Sequence, residues 1–216
     1  MQGLLKILIK MDWTSIYIKT SGLNVLILGT GEVATRRANR FLDHGANVKL
    51  IGSSLSDELE RKGAVLCSGD EIEELVEWSD FVVVASGDRQ LSDHVSKIAS
   101  DKLLNRADFP QKGNVIVPTS FNIGEIEISI FTNGKSPLMA RQLRKKIQSV
   151  ITEEDILEIE LQAYARSRLK DVLENQKERK EYLYKIFEDD EINGLIQNHE
   201  IDKAKECIDN LIRGLM

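Results

Sequence analysis

Three observations in this 216-residue sequence predict an α/β protein, with a parallel sheet and its helices first and an all-helical domain after them. Short apolar runs alternate with amphipathic helical stretches between Asn24 and Ser100, the order that gives parallel strands joined by right-handed crossovers. All three prolines and all but two of the 14 glycines precede residue 148, so turn chemistry is concentrated there. Charge divides at the same place. Residues 1–148 carry 19 basic and 18 acidic side chains, and residues 149–216 carry 10 and 17.

The first strand reads over Asn24–Leu28 and stops at Gly29. Val33, Ala34, Ala38, Phe41 and Leu42 then recur at helical spacing until Gly45 breaks the helix. Residues 46–51 read as a second strand, 56–62 as a helix, and 65–66 as a short third strand. A helix over 71–78 leads to 81–85, a continuous apolar run of the kind buried on both faces. Residues 91–100 read as helix, and 103–110 as a strand running into a turn. Two more strands are expected at 115–117 and 126–131, joined through Asn122, Ile123 and Gly124. In the second, Ile126, Ile128 and Ile130 alternate with Glu127 and Ser129. This pair either extends the parallel sheet or forms a separate ribbon. A ribbon is marginal alone, so covering its edges predicts a two-fold homodimer with active sites near the subunit junction. Beyond residue 148, Ile156, Ile159 and Ala163, then Ile201, Ala204, Ile208, Leu211 and Leu215, recur at spacings of three and four, which predicts helices packed through those positions.

A hydrophobic content of 42% suits a chain with a real core, and no run approaches the roughly 18 apolar residues of a membrane span. The net charge of −6 argues against nucleic-acid binding, which needs a concentrated positive surface. The apolar segment 3–9 is interrupted by Lys6 and followed by no small-residue cleavage site, so a cytoplasmic location is expected. Met1 and Met11 both stand as possible starts. Cys67 and Cys207 fit small buried hydrophobes better than a disulfide or a zinc site. His44, His94 and His199 lie far apart, so no permanent metal site is expected.

The stretch Gly29-Thr30-Gly31-Glu32-Val33-Ala34 is GxGxxA between a strand and a helix. Its first glycine permits a tight turn, its second lets backbone approach a pyrophosphate, and its small last residue lets helix and strand pack closely. The alternative is a glycine turn that binds nothing. The carboxylate that often ends the second strand and binds the ribose of NAD is replaced by Ser53 and Ser54. NAD and NADP both remain open on this ground, and the two serines can instead cap the next helix with Ser56. The fourth strand ends in Ala85-Ser86-Gly87-Asp88, whose small residues leave room for a dinucleotide; Asp88 suits a helix N-cap. Asp108 follows the fifth strand, where a carboxylate can take a proton as hydride departs, or can simply open the turn before Pro110. Ser136-Pro137 is a good helix start, as N-cap and first helical residue.

The segments GTGEVA at 29–34, ASGD at 85–88, NRAD at 105–108, PTS at 118–120 and GKSPLMARQLR at 134–144 together resemble precorrin-2 dehydrogenases. These include the N-terminal region of siroheme synthase and bifunctional sirohydrochlorin ferrochelatases. The resemblance covers about residues 16–147, is most specific in GxSPxxARxLR, and extends to the tail in type and length only. It implies a Rossmann domain over 1–114, a small α+β dimerisation segment over 115–148 and a helical domain over 149–216. The implied reaction is NAD-dependent oxidation of precorrin-2 to sirohydrochlorin in siroheme biosynthesis. Some relatives also insert ferrous iron, which is then a substrate. Metal insertion alone, or noncatalytic dinucleotide sensing, are the alternatives. Residue by residue, the resemblance gives Asp108 as the catalytic carboxylate. Gly29, Thr30, Gly31, Glu32, Val33, Ser53, Ser54 and Ser86 fall at dinucleotide-contacting positions, and Ser136 in the tetrapyrrole pocket. Lys135, Arg141, Arg144, Lys145 and Lys146 either steer the substrate's carboxylates or form a solvated face.

Overall fold

The computed structural model describes residues 12–215; segment 3–9 and both candidate starts lie outside them. The chain divides into two compact units after Val117.

The first unit runs β1 (Asn24–Leu28), α1 (Glu32–Asp43), β2 (Asn47–Ile51), α2 (Asp57–Arg61), β3 (Val65–Cys67), α3 (Ile72–Trp78), β4 (Phe81–Val84), α4 (Arg89–Ile98) and β5 (Leu103–Arg106). All five strands are parallel, in the order β3-β2-β1-β4-β5. Strand and helix ends between residues 46 and 100 fall within two residues of those expected. Alternation along each strand builds two cores. Val25, Ile27, Val48, Leu50, Phe81 and Val83 face Ala34, Ala38 and Phe41 of α1 and Leu59 of α2. Leu26, Leu28, Val82 and Val84 face Ile72, Leu75 and Val76 of α3 and Val95 of α4. Because both faces are covered, β1 and β4 are apolar at nearly every position, as the uninterrupted run in β4 predicts. Cys67 and Cys207 are free, partly buried, and packed against apolar clusters.

After β5 comes a 3-10 turn, Pro110–Lys112. The strand expected at 115–117 does not form. Val115 and Val117 pack instead on the α1 side of the sheet, and the amides of Asn114 and Val115 both donate to the carbonyl of Leu104, at 3.0 and 3.1 Å. The Asn114 side chain closes the outer edge of β5. Its carbonyl accepts the Leu104 amide at 2.7 Å, and its NH2 donates to the Lys102 carbonyl at 2.8 Å.

The second unit opens with an antiparallel ribbon of β6 (Thr119–Ile123) and β7 (Ile126–Ile130). The partner of β7 is thus the segment expected to be its connection, and the ribbon is a sheet of its own rather than an extension of the parallel one. Five helices follow: α5 (Pro137–Gln148), α6 (Glu153–Val172), α7 (Gln176–Phe187), α8 (Asp190–Gln197) and α9 (Ile201–Arg213). A reciprocal capping box of Thr152 and Asp155 starts α6. The buried stripe of α6 is Leu161, Ala165 and Leu169, whereas Ile159 and Ala163 are exposed. Ile156 supports the hairpin turn, where a Cβ on Gly124 would lie 2.9 Å from its side chain. In α9, Ala204, Ile208 and Ile212 are buried and Leu211 is exposed. The Tyr164 hydroxyl and the Arg168 Nε both donate to Asp209, each at 2.9 Å, tying α6 to α9. Among the described residues no helix is long and apolar enough to cross a membrane.

Candidate active site

The strand order reverses between β1 and β4, and open parallel sheets take their ligands in the crevice at the carboxyl ends of such a pair. Gly29 leaves β1 there with φ +107°, and a Cβ on it would stand 2.5 Å from the Ala85 carbonyl oxygen. Only glycine allows the two strand ends to lie so close. Gly31 is the N-cap of α1 and provides no side-chain acceptor for the first-turn amides. Those amides therefore stay available to a ligand, and the positive end of the helix dipole favours an anion. A Cβ on Gly31 or Gly87 would meet nothing within 4 Å, so space lies open over the helix start and over the end of β4. An uncapped 12-residue helix beneath such space fits the pyrophosphate of a dinucleotide.

Around this cradle, Thr30 Oγ1 accepts the Ser53 amide at 3.3 Å and lies 3.2 Å from the Ser53 hydroxyl, which ties the glycine turn to the end of β2. A Cβ on Gly52 would fall 2.4 Å from the Thr30 methyl, so this contact also depends on glycine. Ser54 is exposed. Neither it nor Ser53 caps α2; that acceptor is Ser56, 3.4 Å from the Leu59 amide. Glu32 and Val33 begin α1 with exposed side chains, and Glu32 approaches Arg36 at 3.6 Å. The Ser86 hydroxyl accepts the Asp88 amide at 3.0 Å, while Asp88 caps α4 by accepting the Leu91 amide at 3.0 Å.

Asp108 follows β5 at the same edge of the sheet, after the Ala107 amide has made one more bond to the Val84 carbonyl. Its carboxylate is gripped side-on by Arg106, with Nε to Oδ1 at 2.7 Å and Nη2 to Oδ2 at 2.6 Å. Arg106 is only 2% exposed. Its remaining donor group, Nη1, reaches the Ser96 hydroxyl at 2.8 Å, Asp93 Oδ1 at 3.0 Å and the Ser92 carbonyl at 3.4 Å, all on α4. Lys112 donates to the same Asp93 oxygen at 2.8 Å. Burial raises the Asp108 carboxyl, but the Arg106 hydrogen bonds and charge, with the backbone amides of Asp108 and Phe109, outweigh it and hold the group below its ordinary range. It is an ionised acceptor at neutral pH.

Ser136 belongs to the second unit, where it caps α5 by accepting the Met139 amide at 3.1 Å, with Pro137 next in the helix. Arg144 lies 5.1 Å from the centre of the Phe121 ring, so one of the basic side chains is held against the ribbon. His94 bonds Glu73 at 3.2 Å, and among the described residues no three His, Cys, Asp or Glu side chains converge as a metal site. Sequence reasoning passed over Arg106, Asp93 and Ser96. The available signal was an arginine ending a strand otherwise suited to burial, with an acid two residues on.

Residues 16–119 match the family described as "Putative NAD(P)-binding". The "Putative precorrin-2 dehydrogenase" of Methanocaldococcus jannaschii is 30% identical over 86% of this chain and 97% of its own. The "Precorrin-2 dehydrogenase" of Methanosarcina barkeri is 29% identical over 90% of this chain and 91% of its own. Among solved structures, "SirC, precorrin-2 dehydrogenase" matches with a TM-score of 0.72 at 25% identity, covering 90% of this chain and 99% of that one. The two relatives and the solved structure, which cover 86–90% of the chain, are matched past residue 147 into the helical tail, beyond the nucleotide-binding unit. A relationship carried through both units, with the open glycine cradle at the reversal of strand order, places the chain in the precorrin-2 dehydrogenase family.

Proposed function

We propose that this protein oxidises precorrin-2 to sirohydrochlorin in tetrapyrrole biosynthesis, with NAD as the hydride acceptor. The observation that carries the reading is the placement of Asp108 at the same edge of the sheet as the Gly29–Gly31 cradle, in a chain related over 86% of its length to the "Putative precorrin-2 dehydrogenase" of Methanocaldococcus jannaschii. In balance, a hydride leaves a ring carbon of precorrin-2 for the nicotinamide, and a proton leaves the macrocycle, giving sirohydrochlorin, NADH and H+. The cofactor supplies the two-electron sink when bound. The amides at the start of α1 hold its phosphates, with Gly29, Gly31 and Ser86 leaving room for it. Thr30, Ser53 and Ser54 line the side toward β2, and Glu32 and Val33 lie at the helix start. The choice of NAD over NADP follows the family resemblance; Ser53 and Ser54, with no arginine beside them in sequence, are compatible with it. Asp108, already ionised, accepts the departing proton and passes it to solvent.

The same reading gives Ser136 to the substrate pocket, where the cap of α5 places a hydroxyl beside a basic stretch suited to the carboxylates of a tetrapyrrole. It also makes the protein a homodimer, formed through the segment that carries β6, β7 and α5. Both edges of a two-stranded ribbon call for cover, and Leu138, Met139 and Leu143 of α5 are exposed. We place the enzyme in the cytoplasm, where its free thiols remain reduced.

The test is a mixture of purified protein, precorrin-2 and NAD, followed by absorbance. Sirohydrochlorin and NADH should appear in equal amounts, and an unchanged spectrum rejects the proposal. A second arm with sirohydrochlorin and ferrous iron reads metal insertion separately, and sedimentation of the same sample reads the dimer.

A further inference from the structure

We propose that Arg106 is a positioning residue for this reaction: a buried guanidinium that fixes both oxygens of the Asp108 carboxylate at the rim of the dinucleotide crevice. The inference rests on the reading of Asp108 given above and names the group that makes that carboxylate usable.

Burying a guanidinium is unfavourable unless its donors are all engaged, so its presence at the end of β5 needs a reason. Structural need alone would be met by Ser96, Asp93 and the Ser92 carbonyl, which together tether β5 to α4 through Nη1. The coplanar donors Nε and Nη2 each give one hydrogen bond to Asp108, one to each carboxylate oxygen. A side-on pair of this kind fixes the plane and the direction of a carboxylate as well as its charge, which a lysine cannot do. Away from Arg106, the carboxylate oxygens meet the backbone amides of Asp108 and Phe109, and what lone-pair capacity remains faces a ligand. Asp108 is also short of packing to hold it: its side chain is 28% exposed, against 2% for Arg106. Holding a partly exposed carboxylate in one orientation is what near-attack geometry demands.

The charged groups around the pair come from three elements. Arg106 lies on β5, Asp93 on α4 faces the guanidinium, and Lys112 of the 3-10 turn faces Asp93. Lys112 balances Asp93, so that Asp93 does not draw the whole charge of Arg106 from Asp108. A proton taken by a carboxylate held in this way is released to solvent rather than retained, which returns the site to its starting state after each turnover.

The experiment compares wild type with Arg106→Lys and Arg106→Gln. Arg106→Gln should lower kcat at least about tenfold while KM for precorrin-2 and dinucleotide affinity stay within about twofold, the pattern of an interaction used in the transition state. Arg106→Lys should recover part of the loss. The acid limb of kcat against pH, and an NMR titration of the Asp108 carboxyl carbon in ligand-free protein, should both move up in the glutamine variant. Wild-type kcat and an unmoved carboxyl titration would overturn the proposal, as would kcat, affinity and melting temperature all falling together. If the glutamine variant does not fold, the lysine variant decides: unchanged kcat with an unchanged titration rejects positioning. Wild-type protein without turnover refutes the proposed function, yet the carboxyl titration still decides whether Arg106 governs Asp108.

Discussion

The Ala85 carbonyl oxygen occupies the ground that a side chain on Gly29 would need, 2.5 Å from where its Cβ would stand. The obstacle is backbone against backbone at the centre of the sheet, and φ +107° adds strain for any other residue. Gly29→Ala should destabilise the protein by at least about 2 kcal/mol, read from the urea midpoint. Gly31 is the contrasting case, with φ −75° and open space around it. Gly31→Val should lose no more than about 1 kcal/mol of stability while weakening dinucleotide binding at least about tenfold. Unchanged affinity in calorimetry would misplace the phosphates.

Asp108→Asn keeps the shape of the side chain and one acceptor oxygen for Arg106, but it cannot act as a carboxylate. Turnover should fall by about 10²–10⁴ with dinucleotide affinity retained. Stopped-flow and equilibrium binding on the same preparation separate the two effects.

Ser53 follows β2 by two residues, at the place where a carboxylate would read the ribose, and it is tied to Thr30. Ser53→Asp should raise the preference for NAD over NADP by at least about tenfold, because a carboxylate accepts from the ribose hydroxyls and repels a 2′-phosphate. The ratio of kcat/KM for the two cofactors is the measurement.

Asp209 gives a pH dependence in the second unit. Burial works against its charged form, but hydrogen bonds from Arg168 and Tyr164 overcome that and hold the carboxyl below its ordinary range. A depressed folded pKa stabilises above the unfolded value of about 3.9, and that contribution is lost as pH falls through the folded value. The gap in urea midpoint between wild type and Asp209→Asn should be full at neutral pH and shrink below about pH 4. A gap independent of pH would mean that the carboxylate adds nothing through its charge.

The parallel sheet was legible because its central strands β1 and β4 are buried on both faces and the helices on one, so apolar runs and helical spacing stand apart between Asn24 and Ser100. The ribbon was harder. Val115, Ile116 and Val117 have the composition of a strand, but Val115 and Val117 pack on the sheet of the first unit. Thr119–Ile123 looks like a connection because Phe121 is its one fully buried side chain. In α6 apolar residues occur on several faces, and local spacing could not tell that Leu161, Ala165 and Leu169 would be chosen over Ile159 and Ala163. The glycine cradle and Asp108 could be read from local motifs. Arg106 could not, since its partners on α4 lie 10 to 14 residues away and meet it only in the fold.

Asn114 sets a limit on how the molecule can associate. By imitating a neighbouring strand with its side-chain amide, it spends the donor and the acceptor that an unfinished rim would offer to another chain. Concentrated protein therefore has little means of polymerising from that flank. Replacing this one amide by leucine would free the Leu104 amide and the Lys102 carbonyl at that rim without touching a single catalytic atom.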